Sequence, residues 1–172
     1  MNLNNEQKNA HVRQRILSAL LLMLEDTEID EISVSELVHR AGVGRASFYR
    51  NYTDAKDVLR QEADRLMTEW EKQFEGGSET SFNAVLSSLL DFYRSHRTFY
   101  QALYKADLSD IIMYTIVDSF PIGDDKPNEE AYRQSSLAFM IYGWIHEWIL
   151  RGMQEPGPEL IRMIEQSQKN RH

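Results

Sequence analysis

The sequence contains no cysteine. That excludes disulfides and thiol chemistry and fits a reducing, cytoplasmic setting. Long apolar runs are missing too. The longest such stretch, Leu137 to Ile145, is nine residues and ends at His146 and Glu147, too short to span a bilayer. The first ten residues, MNLNNEQKNA, are polar and carry no signal-peptide pattern. Neither strand alternation nor an internal repeat is visible. Positive charge is scarce: 19 Lys and Arg against 27 Asp and Glu leave a formal net charge of −8. Non-specific attraction of nucleic acid to the whole surface is thereby excluded.

The constellations of common enzymes are absent as well. The five histidines, His11, His39, His96, His146 and His172, form no H-x-x-x-H pair, and there is no cysteine to complete a metal site with them. His146-Glu147 lacks the second histidine of an H-E-x-x-H zinc motif. There is no G-x-S-x-G, phosphate loop or dinucleotide fingerprint. The expectation is a protein without catalytic activity, metal or cofactor.

What is present begins with 42% apolar residues in 172, enough for one globular domain with a core or two small ones sharing a helix. Charge is uneven. Residues 1–60 hold 8 basic and 9 acidic residues, a net of −1, and residues 61–172 hold 11 and 18, a net of −7. The acids of the first part concentrate in Glu25 to Glu31. A local basic face around Arg40, Arg45, Arg50, Lys56 and Arg60 therefore remains available to phosphates.

The most informative stretch is Ser33 to Tyr52, SVSELVHRAGVGRASFYRNY. Ser33 and Glu36 make an S-x-x-E capping box that starts a helix. Val34, Leu37 and Val38 give it an apolar face. Ala41-Gly42-Val43-Gly44 breaks it, with Gly42 free to take a left-handed conformation. A second helix runs from Arg45 through Tyr49 into Asn51. Two helices around a glycine-containing four-residue turn are the signature of a helix-turn-helix, whose second helix lies in the DNA major groove. Within that helix Phe48 and Tyr52 read as core. Arg45, Ser47, Tyr49, Arg50 and Asn51 read as candidates for DNA contact, and Ser33 and Ser35 as phosphate contacts through hydroxyl and N–H groups.

The pattern V-x-x-L-V-x-x-A-G-V-x-x-x-x-F-Y-x-x-Y resembles the DNA-binding segment of the TetR family of bacterial transcriptional regulators, most specifically over Ile16 to Leu59. Two positions depart from it. Gly44 stands where a capping hydroxyl is usual, and Ala55 where the family often has lysine, with Lys56 as its neighbour. The resemblance implies double-stranded DNA and a second copy of the chain as partners. It also implies an effector pocket in the second part of the chain.

Along the chain, residues 1–8 read as a mobile arm and a first helix spans Asn9 to Glu25, with Val12, Ile16, Ala19, Leu20, Met23 and Leu24 as its stripe. Asp54 caps a long helix over 55–74 that Gly76-Gly77-Ser78 ends. Further helices follow from Phe82 to Ser95, around Phe99 to Tyr104, from Leu108 to Phe120, from Glu129 to Gly152, and from Pro158 to Ser167. The linker PIGDDKPN occupies 121–128. The expected fold is thus all-α: a three-helix DNA-binding domain at 1–53, a connecting helix at 54–75, and a helical effector-binding and dimerisation domain at 76–172.

Two further expectations attach to the second part. Its aromatics either fill a core or line an effector pocket; the lining candidates are Trp70, Phe74, Phe99, Tyr100, Tyr104, Tyr114, Tyr142 and His146. Such a lining suits an apolar or aromatic small molecule. The other possibility is a regulator without a ligand, controlled by a protein partner. The dimer interface is expected on the last two helices through Leu137, Ile141, Trp144, Ile145, Trp148, Ile161 and Ile164, with Gly143 allowing a close helix crossing in a four-helix bundle.

Overall fold

The computed structural model describes residues 3–75, 81–118 and 126–169. Among them the chain is all-helical, as expected, with no strand. Helix α1 spans Leu3–Met23. It buries Ile16, Ala19, Leu20 and Met23 at helical spacing. It also starts six residues before the expected Asn9, which corrects the reading of residues 3–8 as an arm. The cause is propagation: no glycine or proline interrupts residues 3–15, so each added residue costs little once the buried turns have nucleated the helix. A short 3-10 turn, Ile29–Glu31, seats Ile29 in the core.

Helix α2 covers Val34–Ala41, opened by the expected capping box. The Ser33 hydroxyl accepts from the Glu36 N–H at 3.2 Å, and the Ser33 N–H donates to the Glu36 carboxylate at 3.3 Å. Such a cap contributes about 1 kcal/mol. Gly42 closes the helix at φ 61°, where a side chain would be strained. A Cβ there would also collide with the Arg15 guanidinium, which lies across the turn. Helix α3 is a single turn and a half, Arg45–Tyr49, shorter at its end than the expected run to Asn51. Gly44, without a side chain, gives it no cap bond.

Helix α4, Ala55–Glu75, starts with Asp54 Oδ1 accepting the Asp57 N–H at 2.8 Å. Its buried residues Val58, Leu59, Ala63, Leu66, Met67 and Trp70 run its full length. One end packs on α1. The other packs on α5, Phe82–Ser95, and α7, Asp110–Asp118. Between those two lies α6, Arg97–Lys105. Helix α8, Asn128–Leu150, packs on α6 and α7, and α9, Gly157–Lys169, packs on α5. Buried side chains from α1 to α9 form one continuous cluster. The expected helix stop at Gly76 to Ser78, the end of the 108–120 helix beyond Asp118, and linker positions 121–125 lie outside the described residues. No described helix is long and apolar enough to cross a membrane.

Candidate nucleic-acid interface

The α2–turn–α3 unit is locked to α1 from beneath. Phe48 is fully buried, as are Ile16 and Leu20 of α1 and Leu37 of α2, and its ring meets Tyr52 at 5.7 Å between centroids. Both aromatics are core, as their spacing indicated. A polar strap adds to this. Arg13 Nε donates to the Tyr52 hydroxyl at 3.2 Å, with its guanidinium carbon 5.7 Å from the ring centroid. Arg13 also reaches Gln61 at 3.4 Å, and Gln61 Nε2 donates to the Asn51 carbonyl at 2.9 Å. Burial raises the Tyr52 pKa above its ordinary value, so the phenol stays neutral at physiological pH. The strap joins α1, α4 and the end of α3 and fixes the direction in which α3 points. One cue to Arg13 is legible in the sequence: a tyrosine read as core has a hydroxyl that needs a partner.

On this frame the candidate contacts sort into two groups. Arg45, Tyr49 and Arg50 are exposed, and the two guanidinium groups make no hydrogen bond or ion pair among the described residues. Ser35 is also exposed, and Ser47 is half-buried. The others already have work. The Ser33 hydroxyl donates to the Glu36 carboxylate at 2.7 Å, a bond that holds the Glu36 carboxyl below its usual range. That fixed negative charge beside Ser33 opposes a phosphate there. Asn51 Nδ2 donates to the Ser47 carbonyl at 2.8 Å, which makes it a brace of the turn. Lys56 pairs with Asp30 at 2.6 Å, a surface pair worth at most about 1 kcal/mol and one a phosphate can displace.

The eight effector candidates do not share one cavity wall. Trp70 and Phe74 stack on each other at 5.6 Å, and Trp70 Nε1 donates to Ser88 Oγ at 3.1 Å. Phe99 and Tyr100 are buried, and Tyr100 stacks on Tyr93 at 4.0 Å. Burial raises the pKa of both tyrosines. Their hydroxyls and that of Thr115 lie close enough to perturb one another, although Tyr93 Oη has no well-aligned hydrogen bond. Tyr104, Tyr142 and His146 form a third group: the Tyr104 and Tyr142 hydroxyls stand 2.7 and 3.3 Å from His146 Nδ1. Tyr114 is 58% exposed and belongs to none of these groups. This corrects its placement in an interior lining; its neighbours Ile112, Thr115 and Ile116 take the inward face of α7. A cleft of about 590 Å³ takes in Tyr104 alone of the eight, with Leu21 and Leu22 of α1, Leu24 just after it, Gln101 and Lys105 of α6, and Ile149 and Leu150 of α8.

The interface candidates need redrawing. Ile145 is 0% exposed, and Ile141, Trp148, Ile161 and Ile164 are buried in the protomer's own core; Leu137 and Trp144 are half-buried. The apolar side chains that α8 turns outward are Tyr132, Phe139, Met140 and Leu150, with Met163 on α9. Gly143 lies on that outer face, where an added Cβ would meet nothing within 4 Å. The helix crossing expected there is thus not made within the protomer. Among the described residues no three His, Cys, Asp or Glu side chains gather as metal ligands.

The arrangement is that of an all-helical protein presenting a short basic helix from a braced three-helix unit. No family model matches the chain, and no curated protein matches it. Among solved structures it is similar to Lin0861 from Listeria innocua. That likeness has a TM-score of 0.76 at 16% sequence identity and covers 100% of this chain and 96% of the other. At that identity it speaks to the fold alone.

Proposed function

We propose that this protein is a TetR-like transcriptional regulator, a repressor, that binds a palindromic duplex as a homodimer. The observation that carries the reading is the exposed pair of unpaired guanidinium groups, Arg45 on α3 and Arg50 at its end, with α3 held by Phe48 and the Gly42 turn. A braced helix with free guanidinium groups suits major-groove docking, where Arg45 can pair bidentately with guanine and Arg50 can meet a backbone phosphate. One such helix reads few base pairs, and a two-fold pair doubles the site. The apolar outer face of α8 supplies a surface for the second copy. Selection from a random duplex pool should yield a palindrome. Arg45→Ala should then cost about 1–3 kcal/mol and relax specificity at one position per half-site. Equal binding of selected and scrambled duplexes by the wild type would refute the reading.

Release by a small apolar or aromatic effector is the second element, and the cleft shared by α1, α6 and α8 favours it. Its volume of about 590 Å³ is that of a ligand site. It lies where the DNA-reading helices meet the rest of the chain. Lys105 Nζ crosses the seam to the Glu25 carbonyl at 3.3 Å. A molecule wedged there pushes α1, and α3 with it, out of register with the second copy. For a typical coupling of about 1–3 kcal/mol it weakens operator binding about 5–150-fold. A compound found to do so in a screen should lose its effect in Leu22→Glu, an exposed position, with operator affinity unchanged. Retained release in that variant would remove the cleft as the effector site. A broad screen with no active compound would favour the regulator controlled by a protein partner.

A further inference from the structure

The first turns of α1 bury almost nothing: residues 5–11 are exposed, and the buried stripe begins at Ile16. They do have a neighbour. A cleft of about 460 Å³ runs between them and α3, with Asn5, Glu6, Lys8 and Asn9 on one wall and Ser47 and Arg50 on the other. Lys8 and Arg50 bring two positive charges to this gap, and neither has an ion pair among the described residues. Like charges across a gap repel, and an anion between them reverses the sign of the interaction. Asn5, Asn9 and Ser47 add uncharged donors of the kind that hold phosphate oxygens. Glu6 is the one opposing charge.

We infer that the α1–α3 cleft seats a backbone phosphate of the bound duplex, with Lys8 clamping it from the side opposite Arg50. The inference rests on the DNA-binding reading, because the same α3 that enters the groove forms one wall of the cleft. It extends the protein's footprint beyond α2 and α3 to the start of α1. It also gives a use to two helical turns that contribute nothing to the core.

The test uses the full-length protein and its selected duplex. Lys8 is exposed, so Lys8→Ala leaves the fold intact. The dimer should lose one phosphate contact per copy, which lowers the slope of log affinity against log salt by about 2 and weakens binding about tenfold near 0.1 M salt. Lys8→Arg should keep the wild-type slope, and Glu6→Gln should tighten binding. Phosphate-ethylation interference should lose one symmetry-related pair of sensitive phosphates in Lys8→Ala and no other. A wild-type slope and ethylation pattern in Lys8→Ala would overturn the cleft while leaving the regulator reading standing. Wild-type protein with no affinity for any selected duplex would overturn both.

Discussion

Trp148→Ala should destabilise the protein by about 3–5 kcal/mol, the range for deleting a large buried aromatic. Trp148 is 2% exposed and among the largest fully enclosed side chains. It also does more than fill space. Its Nε1 donates to the Glu155 carbonyl at 3.1 Å, and its own carbonyl accepts from the Met153 N–H at 2.8 Å. Together these bonds turn the chain from the end of α8 towards α9. Removing the indole leaves a void under that turn and loosens the connection from α8 to α9. For a chain of this length the thermal midpoint should fall by about 2–4 °C for each kcal/mol. Calorimetry on wild type and variant checks this, with Leu150→Ala, exposed on the same helix, as the control expected to change little. A Trp148→Ala midpoint within a degree or two of wild type would mean that the side chain is not core.

The result matters because the sequence alone assigns Trp148 to the wrong surface. Helix α8 carries apolar residues on two faces, and periodicity cannot say which face turns inward. The inward stripe is Ala138, Ile141, Ile145, Trp148 and Ile149; the outward one includes Phe139, Met140 and Leu150. Both repeat at helical spacing, and only the positions of α6 and α7 choose between them. The same ambiguity affects the aromatics of the second part. A tyrosine that lines a pocket and one that stacks in a core have the same sequence surroundings, so Tyr100 and Tyr114 look alike until packing buries one and exposes the other.

Local chemistry was far more legible. The Ser33–Glu36 box, the left-handed Gly42 and the Asp54 cap are short-range devices whose residues name their own geometry. Each falls where its residues indicate. The features without a local signature are long-range and polar: Arg13 bonded to Tyr52, Arg15 across Gly42, and the cleft that Lys8 and Arg50 both line. Each joins α1 to the α2–α3 unit across more than twenty residues of chain. No spacing rule covers such a distance. The start of α1 was missed for a different reason, since polar residues 3–8 carry no periodicity, and only their continuity with a buried helix makes them helical.

On the proposed dimeric reading, Phe139→Glu should yield a monomer and reduce operator affinity about 100-fold or more, the gain typical of linking two half-sites. Phe139 is 51% exposed in the protomer, next to Met140 and one turn before Gly143. A glutamate there costs the isolated fold little, since exposed positions tolerate substitution within about 0.5 kcal/mol. Covered by a second copy, the same residue would become a buried unpaired carboxylate, which is costly. In the proposed dimer Gly143 lets the two α8 helices approach closely, so Gly143→Leu should weaken that dimer independently. Equilibrium sedimentation at micromolar concentration separates the states, and circular dichroism should show unchanged helix content in Phe139→Glu. The two substitutions act in opposite ways: Trp148→Ala loosens the protomer, whereas Phe139→Glu leaves the protomer folded and parts the pair. If each recognition helix reads half of a palindrome, as proposed, the monomer keeps the proposed Arg45 contact yet loses the second half-site. A Phe139→Glu protein that remains dimeric with wild-type operator affinity would move the interface off the outer face of α8, and a monomeric wild type would remove the dimer altogether.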